Sequence, residues 1–461
     1  MKKINNVEFG KLIEGVDDED IQILDYEIEL INDISIDLSY KSYSFKNCIF
    51  KGARMDFYKF NEEEDESEFQ SLNFVDCEIK SNLFIKECTL YSVEFSNVKI
   101  TSDNFYICHS YIDSITITGS ADMPNTIKSI VIDNLKSPET FLDIRLNEIS
   151  DSITICNSSF GKTFINANFI NRINIYESEF NNTFQFWKNI LKSYSTIENN
   201  KFNDVEFMNS DFGSEVHFSK IKFSGNCNFE SSKGTKTRVK FSKCNFDEYV
   251  YFDKSLIYEI VFDTAFFKEI VSFQNLKCNS IKFNRTHFDK VGFFNDVEIE
   301  NLNKCDLKTI RFIKNQLLKA ENKIDYLKYN ALEQSSFLAN SELSFNDRTL
   351  LKLNKKSNDF GNNWTMGVLF TLRNGVLFFI LVLIANSFLI SEYPLSINYR
   401  ADFASFSQIL AEFLKFVFSL GFDNKEIQSN GILYLLFIIA KIYIGYGVYQ
   451  TISAFRKYGK N

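Results

Sequence analysis

Proline is nearly absent from these 461 residues, with 3 in all, while glycine (17) and tryptophan (2) are sparse. A chain so poor in Pro and Gly is neither collagen-like nor a Pro-rich or Gly/Ser-rich low-complexity polymer. Histidine occurs only at His109, His217 and His287, far apart. No His-x-x-x-His or Cys-x-x-Cys pair, P-loop, Gly-x-Gly-x-x-Gly or Gly-x-Ser-x-Gly appears, so local signatures of metal, nucleotide and acyl-transfer sites are missing. No enzyme, metal or cofactor is expected. The opening Met1-Lys2-Lys3-Ile4-Asn5-Asn6 has no apolar run, so no cleavable secretory signal is expected and the first part should stay in the cytosol. Nine Cys without paired spacing read as reduced thiols, not a disulfide framework.

What is abundant is phenylalanine, 50 residues, and it recurs with a period. From Val205 to Ile299 apolar residues fall in pairs five apart: Phe207 and Phe212, Phe218 and Phe223, Phe241 and Phe246, Phe252 and Ile257, Phe262 and Phe267, Phe273 and Cys278, Phe283 and Phe288, Phe294 and Ile299. Earlier the register is looser, with Phe45 and Phe50, then Phe69, Phe74, Ile79 and Phe84, then Leu90, Phe95, Ile100 and Phe105, then Ile155 and Phe160, Phe164 and Phe169, Ile175 and Phe180. A period of five fits neither a 3.6-residue helix nor strand alternation. Two residues before the large apolar one a small residue is frequent: Ala167, Ser178, Ser210, Ala265, Thr286, and the cysteines Cys48, Cys77, Cys88, Cys227, Cys244 and Cys305.

This pattern resembles the pentapeptide-repeat family from about Tyr40 to Cys305. The resemblance implies a mainly β fold, a right-handed quadrilateral β-helix with four five-residue faces per coil. The large residues would stack along the axis and the small ones would sit where the chain turns inward. On the order of a dozen coils are expected, after an N-terminal cap over 1–40 and within bounds 41–305. Segments lacking the register, Asn61 to Glu68, Thr118 to Ile144 and Ile190 to Asn200, are expected as bulging loops.

The charge divides the chain. From Lys304 onward there are 19 Lys+Arg and 12 Asp+Glu, net +7, against net −16 before it. An acidic body is not expected to bind nucleic acid nonspecifically. After Leu307 the pattern turns helical, through Ile310, Ile313, Leu317, Ile324, Leu327, Ala331 and Leu338. It resembles the helical hairpin that often joins such rods to membrane segments, with Glu333 matching a recurrent Glu near the end of its second helix. The hairpin is expected over 306–345, a basic linker over 346–363 and a membrane domain over 364–461.

Gly375 to Ile390 is a run without charge and Gly431 to Ile452 an apolar run whose only charge is Lys441. With Arg373 snorkelling, the first span extends back to about 368, giving spans at about 368–390 and 431–452. Lys352, Lys355, Lys356, Arg456, Lys457 and Lys460 flank them, so the positive-inside rule puts both ends in the cytoplasm of a multi-pass inner-membrane protein. Between the spans, Phe403 to Phe418 reads as an apolar helix followed by Ser419-Leu420-Gly421-Phe422-Asp423. Span, short helix, Gly turn and span resemble a two-span potassium-channel pore. On that resemblance Ser419, Leu420, Gly421 and Phe422 would line a filter with backbone carbonyls, and the copies would be four. Asp423 stands where that family has a second filter Gly, and with Glu426 it would draw cations to the outer mouth. Lys441 should face the bundle interior, a cavity or a partner, either the pore or a neighbouring group. Gly445 and Gly447 read equally as a hinge of the inner helix or as close-packing positions.

The expectation is an oligomeric ion channel or pore of a bacterial inner membrane, sensed or gated by its cytosolic rod through an unidentified protein or ligand. One use of that arrangement is growth arrest during phage infection by depolarisation. The alternative is a membrane-anchored, non-conducting scaffold whose acidic rod binds a protein, as in DNA-mimicking relatives of that family. Lipid, permeant ions and further copies of the chain are the other partners expected.

Overall fold

The structure is a computed structural model of the chain and describes residues 1–14, 20–38, 41–59, 70–301, 305–339, 343–389, 403–418 and 430–456. It has two compact units, Met1–Phe312 and Ile313–Asn461.

The first unit is a parallel β-solenoid. One ladder runs through 13 strands, one per turn, from Asp20–Leu24 to Gly292–Phe293. In the last turns four short strand segments close each coil, as at Val250–Tyr251, the two ends of Leu256–Asp263, and Phe266–Phe267, and each pairs with its copy one turn on. Stacked strands lie ~4.8 Å apart, a spacing that suits face-to-face aromatic rings. The Phe pairs supply them. Phe218, Phe241, Phe262 and Phe283 stack with ring centroids 4.8, 5.1 and 5.3 Å apart. Phe207, Phe229, Phe252, Phe273 and Phe294 form a second column at 5.0, 4.8, 5.2 and 4.8 Å. A third runs from Phe160 through Phe180, Phe202, Phe223 and Phe246 to Phe267. Rings of different columns also meet edge-on, as Phe241 meets Phe252 at 80°, the tilted geometry aromatic quadrupoles favour.

The coil turns on a second device. A residue with positive φ recurs every ten to twelve positions along the regular turns, for example Asn134, Leu146, Asn157, Ala167, Glu177, Lys188, Asn199 and Asn209. Asn and Asp, which enter this region at least cost among residues with a Cβ, hold several of these places, including Asp25, Asn47, Asp76 and Asn97. The next residue is the small inward one. Cys48, Cys77, Cys88, Ser110, Ser178, Ser210, Cys244 and Ser255 are all buried there. All nine cysteines are free thiols. From Asn125 to Asn189 this inward place carries an amide ladder. Asn125 Nδ2 donates to Asn147 Oδ1 at 2.6 Å, Asn147 Nδ2 to Asn168 Oδ1 at 3.0 Å, and Asn168 Nδ2 to Asn189 Oδ1 at 3.0 Å.

Several expectations are corrected. Phe164 and Phe169 face outward, and Ile165 and Ile170 fill the axis, so the register there is shifted by one and Asn168, not Ala167, is the small inward residue. Phe84 is likewise outward between Leu83 and Ile85. The stretches expected as loops at Thr118 to Ile144 and Ile190 to Asn200 carry stacked strands, Asn125–Asp133, Phe141–Arg145, Ile190–Leu191 and Ser195–Glu198. Ile and Leu take over the inward places there, which leaves no Phe to mark the period. Asn61 to Glu68 lies outside the described residues. The stack also takes in Asp20–Leu24, Tyr26–Leu30 and Ile34–Asp37, well before position 41. The N-terminal cap is helix α1 (Asn6–Glu14), whose buried Phe9 lies 6.4 Å from the Phe45 ring and 6.2 Å from Phe50. At the other end α2 (Leu307–Lys319) begins; Thr309 Oγ1 accepts from Phe283 N, and the Phe312 ring stands 4.8 Å from Phe283 and 4.9 Å from Phe288.

The second unit is helical: α3 (Lys323–Ala339), α4 (Phe345–Asn358), α5 (Trp364–Leu389), α6 (Phe403–Phe418) and α7 (Gly431–Phe455). Ser344 caps α4 by accepting from Asp347 N, and Asn430 caps α7 by accepting from Ile432 N and Leu433 N. Two helices are long and apolar enough to cross a membrane, within Trp364–Asn386 and over Gly431–Phe455.

Candidate functional site

Helices α5 and α7 run antiparallel. Trp364 stacks on Phe455 at 4.9 Å, Phe370 meets Tyr446 at 6.0 Å, and Phe378 meets Tyr443 at 5.6 Å. Their closest approach uses a reciprocal pair of glycines. A Cβ on Gly447 would stand 2.4 Å from Thr371 Oγ1 and 3.1 Å from Thr371 Cα, and one on Gly367 would stand 2.6 Å from Thr451 Oγ1 and 3.0 Å from Thr451 Cα. Gly367 and Thr371 on α5 therefore face Thr451 and Gly447 on α7, the small-residue geometry by which apolar helices approach without a hydrophobic driving force. Gly447 lies in this close approach, whereas Gly445 is exposed, with open space where a Cβ would project.

Beside this crossing lies a polar knot. Asn358, at the end of α4, donates from Nδ2 to Gln450 Oε1 at 2.5 Å and to the Gln450 carbonyl at 3.0 Å. Asn354 Oδ1 accepts from Gln450 Nε2 at 3.0 Å and from the Tyr446 hydroxyl at 3.2 Å. Asn362 Nδ2 then donates to the Leu327 carbonyl on α3 at 3.2 Å. A half-satisfied amide in apolar surroundings is costly; Asn354, Asn358 and Gln450 satisfy one another and tie α4 to α7, whereas Asn362 reaches α3 with its Nδ2 and leaves its Oδ1 buried without a partner among the described residues. Sequence reasoning missed these residues. The available signal was a polar Gln inside the second apolar run.

Glu333 is buried on α3 and accepts a hydrogen bond from Lys314 of α2 at 2.5 Å, with side-chain exposures of 9% and 19%. An ion pair so enclosed loses much of its Coulomb gain to desolvation, and its best-attested use is to fix register. Glu333 thus joins α3 to α2.

The third apolar helix ends against the pair. Phe413 and Phe416 of α6 meet Phe379 of α5 at 5.7 and 5.5 Å, Phe416 meets Phe437 of α7 at 5.8 Å, and Val417 is buried at the level of Gly375. The first half of α6 is exposed at Phe406, Ile409 and Leu410. At ~1.5 Å per residue, Phe379 and Phe437 lie about 15 and 9 Å inside the ends of α5 and α7 nearest them, so the tip of α6 lies well within the length of the pair. Lys441 meets that tip. Its Nζ donates to the Phe416 carbonyl and lies 5.5 Å from the Phe416 ring centroid and 5.1 Å from that of Phe437. Ser419, Leu420, Gly421, Phe422, Asp423 and Glu426, expected to form the filter and mouth, lie outside the described residues. Comparison with known proteins adds no identity: no family model, no curated protein and no solved structure matches the chain.

Proposed function

We propose that the chain is an oligomeric ion channel or pore of the inner membrane, with the solenoid as a cytosolic sensing body. The observation that carries this reading is the placement of α6. A short apolar helix that ends well inside two apolar helices hands the chain on at position 419 from within the bilayer once α5 and α7 span it. Irregular backbone at such depth is tolerated only inside protein or along a water-filled path. Two spans and a half-length helix cannot enclose a path alone. Leu377, Ile380 and Ile384 on α5 and Leu435, Ile439 and Ile442 on α7 are exposed in the single chain, which leaves faces for lipid and for further copies. Four copies is the number the channel resemblance implies. In this reading the carbonyls of Ser419, Leu420, Gly421 and Phe422 strip and replace the hydration of a permeating ion, and Asp423 and Glu426 concentrate cations at the mouth. The knot of Asn354, Asn358, Tyr446 and Gln450 ties α4 to α7, so a change in α4 can reach α7.

The test is conductance of the purified full chain in a planar bilayer under asymmetric KCl. Discrete currents are expected, abolished by Gly421→Pro, with Asp423→Asn moving the reversal potential away from the cation side. Silence in the unsubstituted protein, together with labelling of a Gly421→Cys variant by a water-soluble thiol reagent from outside, would move the reading to a non-conducting scaffold.

A further inference from the structure

A lysine within an apolar span demands a reason, because an ammonium in hydrocarbon is costly unless it is paired, solvated or enclosed. Sequence alone left Lys441 divided between the pore and a neighbouring group. In the structure its ammonium is aimed at a backbone acceptor. Phe416 is two residues from the end of α6, so its carbonyl is among the last four, which have no partner inside the helix. These carbonyls carry the negative end of the helix dipole, where a cation is favoured, and away from water they need a donor from elsewhere in the protein. The rings of Phe416 and Phe437 flank the same ammonium at distances suited to cation–π attraction. From the opposite side α5 makes room: a Cβ on Gly375 would come within 2.8 Å of Val417 Cγ2.

We propose that Lys441 is the positioning residue of α6: its ammonium, bonded to the Phe416 carbonyl between two aromatic rings, fixes the depth at which α6 ends. Its charge is committed to the helix tip and not to a permeating ion. The inference rests on the membrane reading above, but not on conduction. Two consequences separate it from a pore-lining lysine. Arginine, which keeps a donor and a charge, should substitute for Lys441, whereas methionine, of similar length but without a donor, should release the tip. Removing a pore-lining charge would instead leave α6 in place and change only selectivity.

The experiment places a cysteine at the helix tip, Phe418→Cys, in the full chain. Its labelling by a membrane-impermeant maleimide is followed on intact cells in three backgrounds: unsubstituted Lys441, K441R and K441M. The nine native thiols all precede position 306 and are counted in a control without the added cysteine. Slow labelling with Lys441 and K441R and labelling at least ten-fold faster with K441M is the expected order. Equal rates in all three overturn the proposal, as does a K441M channel that conducts normally with a reversal potential shifted toward cations. If K441M does not accumulate in the membrane fraction, Lys441→Gln, neutral but still a donor, takes its place, and labelling equal to that of unsubstituted Lys441 and K441R overturns the role of the charge. A chain that shows the expected labelling order but carries no current keeps the positioning role and removes the pore. Recovery of the unsubstituted chain in the soluble fraction removes the membrane reading on which both rest.

Discussion

Glu259 shows how the solenoid carries its charge. Its carboxylate is largely enclosed, 9% exposed as a side chain, and accepts from Arg238 Nε at 2.7 Å on one turn and from Lys282 Nζ at 2.9 Å on another. Burial by itself would raise its pKa. The hydrogen bonds and charges of Lys282 and Arg238 outweigh that and hold it below the usual value. A carboxyl of ~4.3 when unfolded and lower when folded contributes stability at neutral pH that is lost as pH falls through the folded value. Glu259→Gln should therefore cost about 1–2 kcal/mol at pH 7, at the low end for charged hydrogen bonds because both cations are partly solvated. The difference from the unsubstituted chain should shrink as pH falls below about 4.3 and vanish once Glu259 is protonated in the folded chain. Urea midpoints at pH 7 and at steps down to about pH 2 decide it, and a difference of constant size through that series would mean that packing, not charge, is what the substitution removed. Asp56, held by Arg54 and by Lys86 at 3.2 Å, repeats the arrangement near the N-terminal end.

At the scale of an element, the amide ladder makes the inward turns polar where a solenoid could have been wholly apolar. Asn168 is buried; it donates to the Ile144 carbonyl at 2.9 Å and accepts from the Asn147 backbone N–H at 3.0 Å as well as from its amide. Truncating it strands that N–H, a loss of roughly 1–3 kcal/mol, and gives up the bonds its amide donates to the Ile144 carbonyl and to Asn189 Oδ1, which keeps the Asn168 backbone N–H as a donor. Asn168→Ala should therefore destabilise by about 2–4 kcal/mol in urea. Asn168→Ser should cost less, because Ser210 two turns further on satisfies the Asn189 N–H with its hydroxyl at 3.3 Å. Equal losses for Ala and Ser would show that the ladder stabilises by volume alone. The same region shows what was legible. A period of five announces the fold class, but two frames one residue apart satisfy it equally where Phe and Ile alternate. Phe164 and Ile165 are such a pair, and size favoured the wrong one. The frame is set by the backbone instead: Ala167 adopts positive φ at 56° and Asn168 follows it inward. Reading the recurring Asn and Asp as turn residues would have misplaced the frame here, because the turn falls on Ala167 and the Asn beside it is inward; the contact between Lys441 and Phe416 joins residues 25 apart and likewise leaves no local trace.

Over the whole molecule, a solenoid has few means of spreading a local defect, since each coil touches only its neighbours and stability is close to a sum of coil and interface terms. Phe241 is a demanding place to test this. Its ring lies 4.8 Å from Phe218 and 5.1 Å from Phe262 along its own column, and 5.5 and 5.8 Å from Phe229 and Phe252 across the axis. Phe241→Ala removes both kinds of contact and should cost about 3–5 kcal/mol. In a globular core that loss would be shared by every amide that exchanges through global opening. Here the loss of protection should concentrate in the coils containing Phe218, Phe241 and Phe262, while amides near Phe74 and Phe95 exchange at their original rates. Hydrogen exchange read by mass spectrometry on the full chain resolves the two patterns, and a uniform rise along the solenoid would show that it opens as one cooperative body. The distinction bears on sensing. A solenoid that opens coil by coil can report an event at one coil only to its neighbours, so a ligand acting on distant helices would have to bind near the C-terminal turns. One that opens as a unit could be addressed anywhere along its length.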